Sequence, residues 1–274
     1  MSNRCSMQLL VNLLLLALSI GDSWQQLTTE ADLDFEEPGF SIGPRIVGGR
    51  RARAGQFKHQ VSLRHRGQHT CGGSIISRNY VLTAAHCVQF GSNVVPANQL
   101  AIQAGSLNLN SHETYVDVAK VNVHPRYNGG GVGYDVAVLR LKSNLNFNAN
   151  MGSIELARND PPTNSSVFIS GWGAIYHGGP ISRELLYIQV LSISRNQCTS
   201  RYMRNLPETT MCLLHGANLG ACHGDSGGPA VYNNQLVGVA SFVLGGCGRE
   251  APDGYERVSY LRNWIVANAE LGSA

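Results

Sequence analysis

Cys222-His223-Gly224-Asp225-Ser226-Gly227-Gly228-Pro229 sets a single serine among small residues and one acid. Near neutral pH a serine hydroxyl attacks only when a base takes its proton and donors hold the oxyanion that forms. Glycines on both sides let a substrate carbonyl approach the backbone, and Asp225 puts a charge beside the hydroxyl. Taken alone, the stretch also reads as a glycine-rich turn. The base, and an acid to orient it, must come from elsewhere in the chain.

The candidate base is His86, in Leu82-Thr83-Ala84-Ala85-His86-Cys87, where small residues precede it and a cysteine follows that can tether its loop. The other histidines offer less. His59, His65 and His69 sit in a polar stretch and read as surface residues, and His112, His124, His177 and His215 have no special setting. His223 is close enough to Gly224 to line a site but has no acid partner in the sequence. The candidate orienting acid is Asp135, which opens the apolar run Val136-Ala137-Val138-Leu139. An acid at the start of such a run is costly to bury unless it is paired, and an imidazole N–H would pair it. Asp117 is the rival, but it lies within an alternating strand and is expected to face solvent.

These residues need a rigid frame. Apolar, β-rich runs recur between turn residues: 60–63, 74–76, 80–82, 116–123, 136–141, 167–169, 185–191 and 236–242. That spacing predicts an antiparallel barrel or sandwich. Only the end breaks the pattern, where Val258, Leu261, Ile265 and Ala269 fall at helical spacing and predict one C-terminal amphipathic helix. No internal repeat is visible.

The N-terminus reads as a targeting segment, with Arg4 ahead of the apolar run Leu9 to Ile20 and small residues at Ser19 and Gly21. The run is short of the roughly 20 apolar residues that a membrane span needs, so no anchor is expected. Secretion is. Cys5 falls inside the removed segment 1–21, and Cys71, Cys87, Cys198, Cys212, Cys222 and Cys247 remain. An even set in an oxidising compartment reads as disulfides, and no Cys-x-x-Cys spacing suggests a metal site. Segment 22–45 is a leader with six acids and one base, Arg45. The body, 46–274, keeps 19 basic and 12 acidic side chains, a net charge of +7. The excess suits acidic protein surfaces, but it is spread out with no basic run, which gives nucleic-acid binding little support.

Ala84-Ala85-His86-Cys87, Asp135-Val136-Ala137-Val138-Leu139 and Gly224-Asp225-Ser226-Gly227-Gly228-Pro229 resemble the three signature blocks of the chymotrypsin-like serine proteases, in that family's order. Ile46-Val47-Gly48-Gly49, Ser170-Gly171-Trp172-Gly173 and Asn263-Trp264-Ile265 extend the resemblance over 46–274. It implies an all-β fold of two antiparallel six-stranded Greek-key barrels with a C-terminal α-helix, the site lying between the barrels. It implies Ser226 as nucleophile, His86 as base and Asp135 as orienting acid, with the N–H groups of Gly224 and Ser226 as the oxyanion hole. It pairs Cys71 with Cys87, Cys198 with Cys212 and Cys222 with Cys247. Arg45-Ile46 becomes a zymogen switch, in which cutting after Arg45 frees an amine on Ile46 that pairs with Asp225. No cofactor is implied. The implied partners are protein or peptide substrates, an activating protease that cuts after Arg, and protein inhibitors of proteases.

The departures concern specificity. Trypsin-like members carry an acid two residues before the cysteine of the serine block, where this chain has Gly220. After Ser241-Phe242 it has Val243 where glycine is usual, which should narrow the pocket and favour small or medium residues. Asp253 falls on the opposite wall, an arrangement similar to broad-specificity arthropod serine collagenases. It could attract a basic substrate side chain, or be shielded by Val243 and satisfied by Tyr255 or water. The segment Ser106-Leu107-Asn108-Leu109-Asn110 lacks the paired acids of a trypsin-type calcium loop, so no metal is expected. Asn164-Ser165-Ser166 is an N-glycosylation sequon. The other class of reading is a catalytically inactive homologue acting as a regulatory or binding module, which usually has a triad residue replaced. With no extra N-terminal module seen, a digestive or general extracellular role is expected over a cascade role.

Overall fold

The computed structural model describes residues 46–272 apart from 112, 113, 131 and 204. The expected targeting segment and the leader, Arg45 included, lie outside the described residues.

Six strands close the first barrel: β1 (Gln60–His65), β2 (Gln68–Ile75), β3 (Tyr80–Thr83), β4 (Leu100–Ala104), β5 (Thr114–Val123) and β6 (Ala137–Leu141). They pair antiparallel in the order β1-β2-β3-β6-β5-β4, with β4 returning to β1. β5 shows why the pattern folds this way. Val116 and Val118 point into the core while Asp117 and Lys120 between and beyond them are exposed, the two-residue period of a half-buried strand. Closure leaves the sheet no free edge.

The second barrel comprises β7 (Ser166–Gly171), β8 (Leu186–Ser192), β9 (Thr210–Leu214), β10 (Pro229–Tyr232), β11 (Gln235–Phe242) and β12 (Asp253–Arg257). Its order is β8-β7-β10-β11-β12-β9, and β9 pairs back onto β8. Pro229 sits at the first residue of β10, where a missing N–H is tolerated. Asn233 and Asn234, at φ +47° and +58°, form the two-residue turn from β10 to β11. Left-handed backbone at both central positions matches the twist of the strands, and Asn tolerates it. The expected two-barrel fold is what the chain adopts.

Among the described residues there are two α-helices. α2 (Val258–Asn268) is the helix expected at the C-terminus, with Val258, Leu261 and Ile265 buried. These join one apolar cluster with first-barrel residues such as Leu139 and Val118, so the chain's end packs back on its first half. α1 (Arg195–Tyr202) was not expected. It is polar and buries only Cys198 and Tyr202, so it has no apolar stripe to read. Its signal was the capping box: Ser194 accepts from the Gln197 N–H and the Gln197 side chain accepts from the Ser194 N–H.

Three disulfides join Cys71 to Cys87, Cys198 to Cys212 and Cys222 to Cys247, the pairing the resemblance implies. The first ties β2 to the turn after β3, the second ties α1 to β9, and the third bridges two second-barrel loops. Replacing the fully buried Ile265 by alanine should cost about 2–5 kcal/mol of stability through lost contacts and a residual cavity, measured by urea denaturation.

Candidate active site

His86 and Asp135 meet because β3 and β6 are neighbours. Thr83 pairs with Ala137, so His86 follows one strand end and Asp135 precedes the other at the same edge of the barrel. His86 lies in a 3-10 turn, Ala85–Cys87, held from behind by the Cys71–Cys87 bridge. The buried Asp135 carboxylate accepts three hydrogen bonds. His86 N–H donates to Oδ1 at 2.8 Å, His86 Nδ1 meets Oδ2 at 2.7 Å, and Ser241 Oγ donates to Oδ2 at 2.6 Å. An ionised carboxylate only accepts, so Nδ1 carries the ring proton and Nε2 presents its lone pair. Ser241, expected as a substrate-pocket residue, thus also holds the acid. Asp117 is exposed and pairs with Lys142 at 3.0 Å, as expected of the rival.

Ser226 sits in the loop between Cys222 and β10. Gly72 N–H donates to the Ser226 carbonyl at 2.7 Å, which fastens this second-barrel loop to a first-barrel strand. Ser226 and His86 line the same cavity without a hydrogen bond between them, a looseness usual before substrate binds. Among the described residues, neither Gly224 N–H nor Ser226 N–H donates to a protein acceptor. Asp225 points inward instead. Its Oδ1 accepts from Gly173 N–H at 2.7 Å and its Oδ2 from Cys222 N–H at 2.9 Å. A Cβ on Gly173 would lie 2.2 Å from Oδ2, so only glycine admits this approach. Burial pushes the Asp225 carboxyl up to about 7; the two N–H donors work against that, and the charge of Asp253 adds to it. Ile46, itself fully buried, lines the same small cavity as Asp225.

The cavity beside Ser226 has a volume of about 300 Å³. Ser241, Val243 and Asp253 line it, as expected, with Ala221 and Tyr255. Gly220 does not: it is buried behind the floor. Asp253 is satisfied by Ala221 N–H, at 2.7 Å from Oδ2, and faces the His215 ring, with no hydrogen bond from Tyr255. A larger cavity of about 690 Å³, lined by Phe57, His59, Glu155, Phe168 and Gln235, holds none of the expected site residues.

Several histidines depart from expectation. His59 and His69 are not surface residues. His59 is buried, and burial pulls its ring down to about 4. His69 bridges Ser62 Oγ, 2.8 Å from Nδ1, and the Gly224 carbonyl, 3.1 Å from Nε2; burial likewise lowers it to about 4. His124 stacks on Tyr134 with centroids 4.8 Å apart. His215, with no sequence context to mark it, lies under the pocket. A polar sequence neighbourhood misleads here because partners distant in sequence cover these rings: Gly224 of the second barrel for His69, and Asp253 on β12 for His215. Two His/Cys groups lie close together among the described residues, but their cysteines are disulfide-bonded and offer no thiolate.

With this geometry in place, comparison with known proteins is informative. Residues 46–265 match the trypsin family model. A serine protease of Anopheles gambiae, SP24D, is 46% identical over 226 residues, covering 82% of each chain. Trypsin alpha of Drosophila melanogaster is 38% identical and hypodermin-A of Hypoderma lineatum 39% identical, each covering 82% of this chain and 88% of the relative. Among solved structures, mouse neuropsin, a serine protease, superposes with a TM-score of 0.74 at 27% identity, covering 81% of this chain and 98% of its own. The chain belongs to the trypsin family of serine endopeptidases.

Proposed function

We propose that this protein is a secreted endopeptidase, made as a zymogen, that cleaves peptide bonds through Ser226, His86 and Asp135. The observation that carries the reading is the Asp135 carboxylate gripping both the backbone N–H and Nδ1 of His86. It leaves Nε2 of His86 as a basic atom free to act in the cavity that Ser226 shares. Nε2 takes the Ser226 proton as Oγ bonds to the scissile carbonyl carbon. The carbonyl electrons move onto oxygen, where the free N–H groups of Gly224 and Ser226 receive them. The imidazolium then protonates the leaving amine as the C–N bond breaks, and a water repeats the sequence to release the acyl group. Asp135 keeps its charge throughout and stabilises the imidazolium.

Cutting after Arg45 supplies the partner that Asp225 lacks. Ile46 already lines the Asp225 cavity, so a freed α-amine needs little travel to pair with the carboxylate and hold the Gly224–Ser226 loop. The pocket suits a small or medium uncharged side chain, since Val243 lines it and Asp253 is already paired with Ala221 N–H and His215. Asn164 is exposed in its turn, a setting that suits glycosylation. Protein substrates and insect relatives named as trypsins favour a digestive or general extracellular role.

Two measurements test this. Activated enzyme should label with a fluorophosphonate at Ser226, and Asp135→Asn should lower kcat by about 10⁴-fold, the size seen when this family's acid loses its charge. No labelling would return the protein to the class of inactive homologues. In the uncut chain Asp225 by itself should draw stability down as pH rises from about 4 to about 7, against the opposite contribution of the buried His59 and His69. The raised Asp225 keeps a proton that the unfolded chain has shed, so at this group the folded state binds more protons across that window. The difference in Tm between the unaltered uncut chain and its Asp225→Asn variant, followed against pH, should therefore shift against the unaltered chain across that window.

A further inference from the structure

His215 and Asp253 form a buried pair under the pocket floor, Nε2 lying 3.3 Å from Oδ2, with side chains 1% and 5% exposed. The contact is close but not aligned as a hydrogen bond, so charge is the main attraction. The other ring nitrogen settles the proton count. Nδ1 stands 2.9 Å from the Gly216 carbonyl oxygen, which can only accept, so Nδ1 carries a proton. Nε2 can then face a carboxylate favourably only if one more proton lies between them. With that proton the pair is neutral, whichever of the two atoms holds it. Without it the pair carries one negative charge.

The same arrangement explains Gly220. At φ +122° it is in glycine territory, and a Cβ there would fall 2.6 Å from His215 Nε2 and 2.9 Å from Asp253 Oδ2. No side chain fits at that position while the ring stands beside it. The glycine in place of an acid and the buried pair are one construction. Asp253 meanwhile lines the cavity, so the pair's charge is felt by whatever side chain enters.

We propose that His215 sets this pocket's selectivity: the His215–Asp253 pair is neutral while it holds its shared proton and negative once the proton leaves, so the pocket takes uncharged side chains at lower pH and accepts cationic ones as pH rises. This deepens the endopeptidase reading and rests on it. Burial alone would make His215 shed its proton early, but the nearby Asp253 carboxylate and the Gly216 carbonyl at Nδ1 outweigh burial and hold it above the usual 6.5. Other titratable groups face the pair, and a slope that came from them would survive in both variants. Tyr255 is held far above its usual range by burial and by the charges of Asp253 and Asp225, so it stays neutral. Asp225, pushed up to about 7 by burial in the uncut chain, is matched in the activated enzyme by the freed Ile46 amine, whose residue lines the same small cavity. His86 and His223 stand on the cavity wall. The flanking segments 211–214, 216–221 and 241–243 hold no acid, base or histidine.

The test uses two peptides identical except for arginine or citrulline before the scissile bond, which match in shape and differ in charge. The ratio of their kcat/KM values cancels the acid–base requirements of Ser226 and His86, which both peptides share. With activated enzyme, the Arg/citrulline ratio should rise about tenfold between about pH 5.5 and 9. His215→Gln should make it high and flat, and Asp253→Asn low and flat. A flat ratio in the unaltered enzyme, or a slope that survives in both variants, overturns the proposal. Benzamidine binding, followed by calorimetry against pH, reads the same pocket without hydrolysis. Affinity that rises with pH more steeply in the unaltered protein than in His215→Gln or Asp253→Asn supports the proposal, and equal slopes overturn it. Should the activated enzyme cleave no peptide whatever residue precedes the bond, and leave Ser226 unlabelled by fluorophosphonate, while benzamidine behaves as expected, the endopeptidase reading fails and the pocket inference stands.

Discussion

The Asp135 carboxylate accepts from both barrels at once, from His86 in the first and from Ser241 on β11 of the second. A carboxylate this deeply buried costs several kcal/mol unless its lone pairs are occupied. Neither barrel alone can satisfy it. The need to answer one desolvated charge therefore sets where the barrels meet and how the imidazole is turned. The Gly72 N–H bond to the Ser226 carbonyl, and the bond from Ser170 Oγ to Gln60 Oε1 at 2.7 Å, brace the same junction.

Two more buried carboxylates obey the same constraint with different partners. Asp225 has only neutral N–H donors in the intact chain, which do not offset burial, and its carboxyl rises accordingly. Asp253 has one N–H donor and an imidazole. The three acids thus grade from fully answered, through answered by a titratable ring, to awaiting a cation. Under the proposed function those grades would correspond to three jobs around one serine: orienting the base, setting pocket charge, and registering a cut in the leader.

The strands announced by alternating residues, such as Val116 and Val118 against Asp117, were readable because one face of each is buried. So was α2, whose apolar stripe repeats at helical spacing. Strands β4, β9, β10 and β12 were harder, being five residues or fewer with short or mixed apolar runs. α1 escaped because two buried residues make no stripe. At the site, His86, Asp135 and Ser226 were legible through their neighbours in sequence. His215 was not, because its partner Asp253 is 38 positions away and only the pairing of β9 with β12 brings their segments together. His69 was hidden for a similar reason, since its partner carbonyl belongs to Gly224 on the other barrel.

All three disulfides close within a barrel, one in the first and two in the second. The barrels are joined covalently only by the single passage of chain between β6 and β7, residues 142–165. A break there would leave two pieces sharing no bond, held by packing, by α2 and by the hydrogen bonds around Asp135. The disulfides would not hold those pieces together. The covalent staples therefore protect each half without protecting the whole, and the connector of residues 142–165 is the one covalent link between the halves.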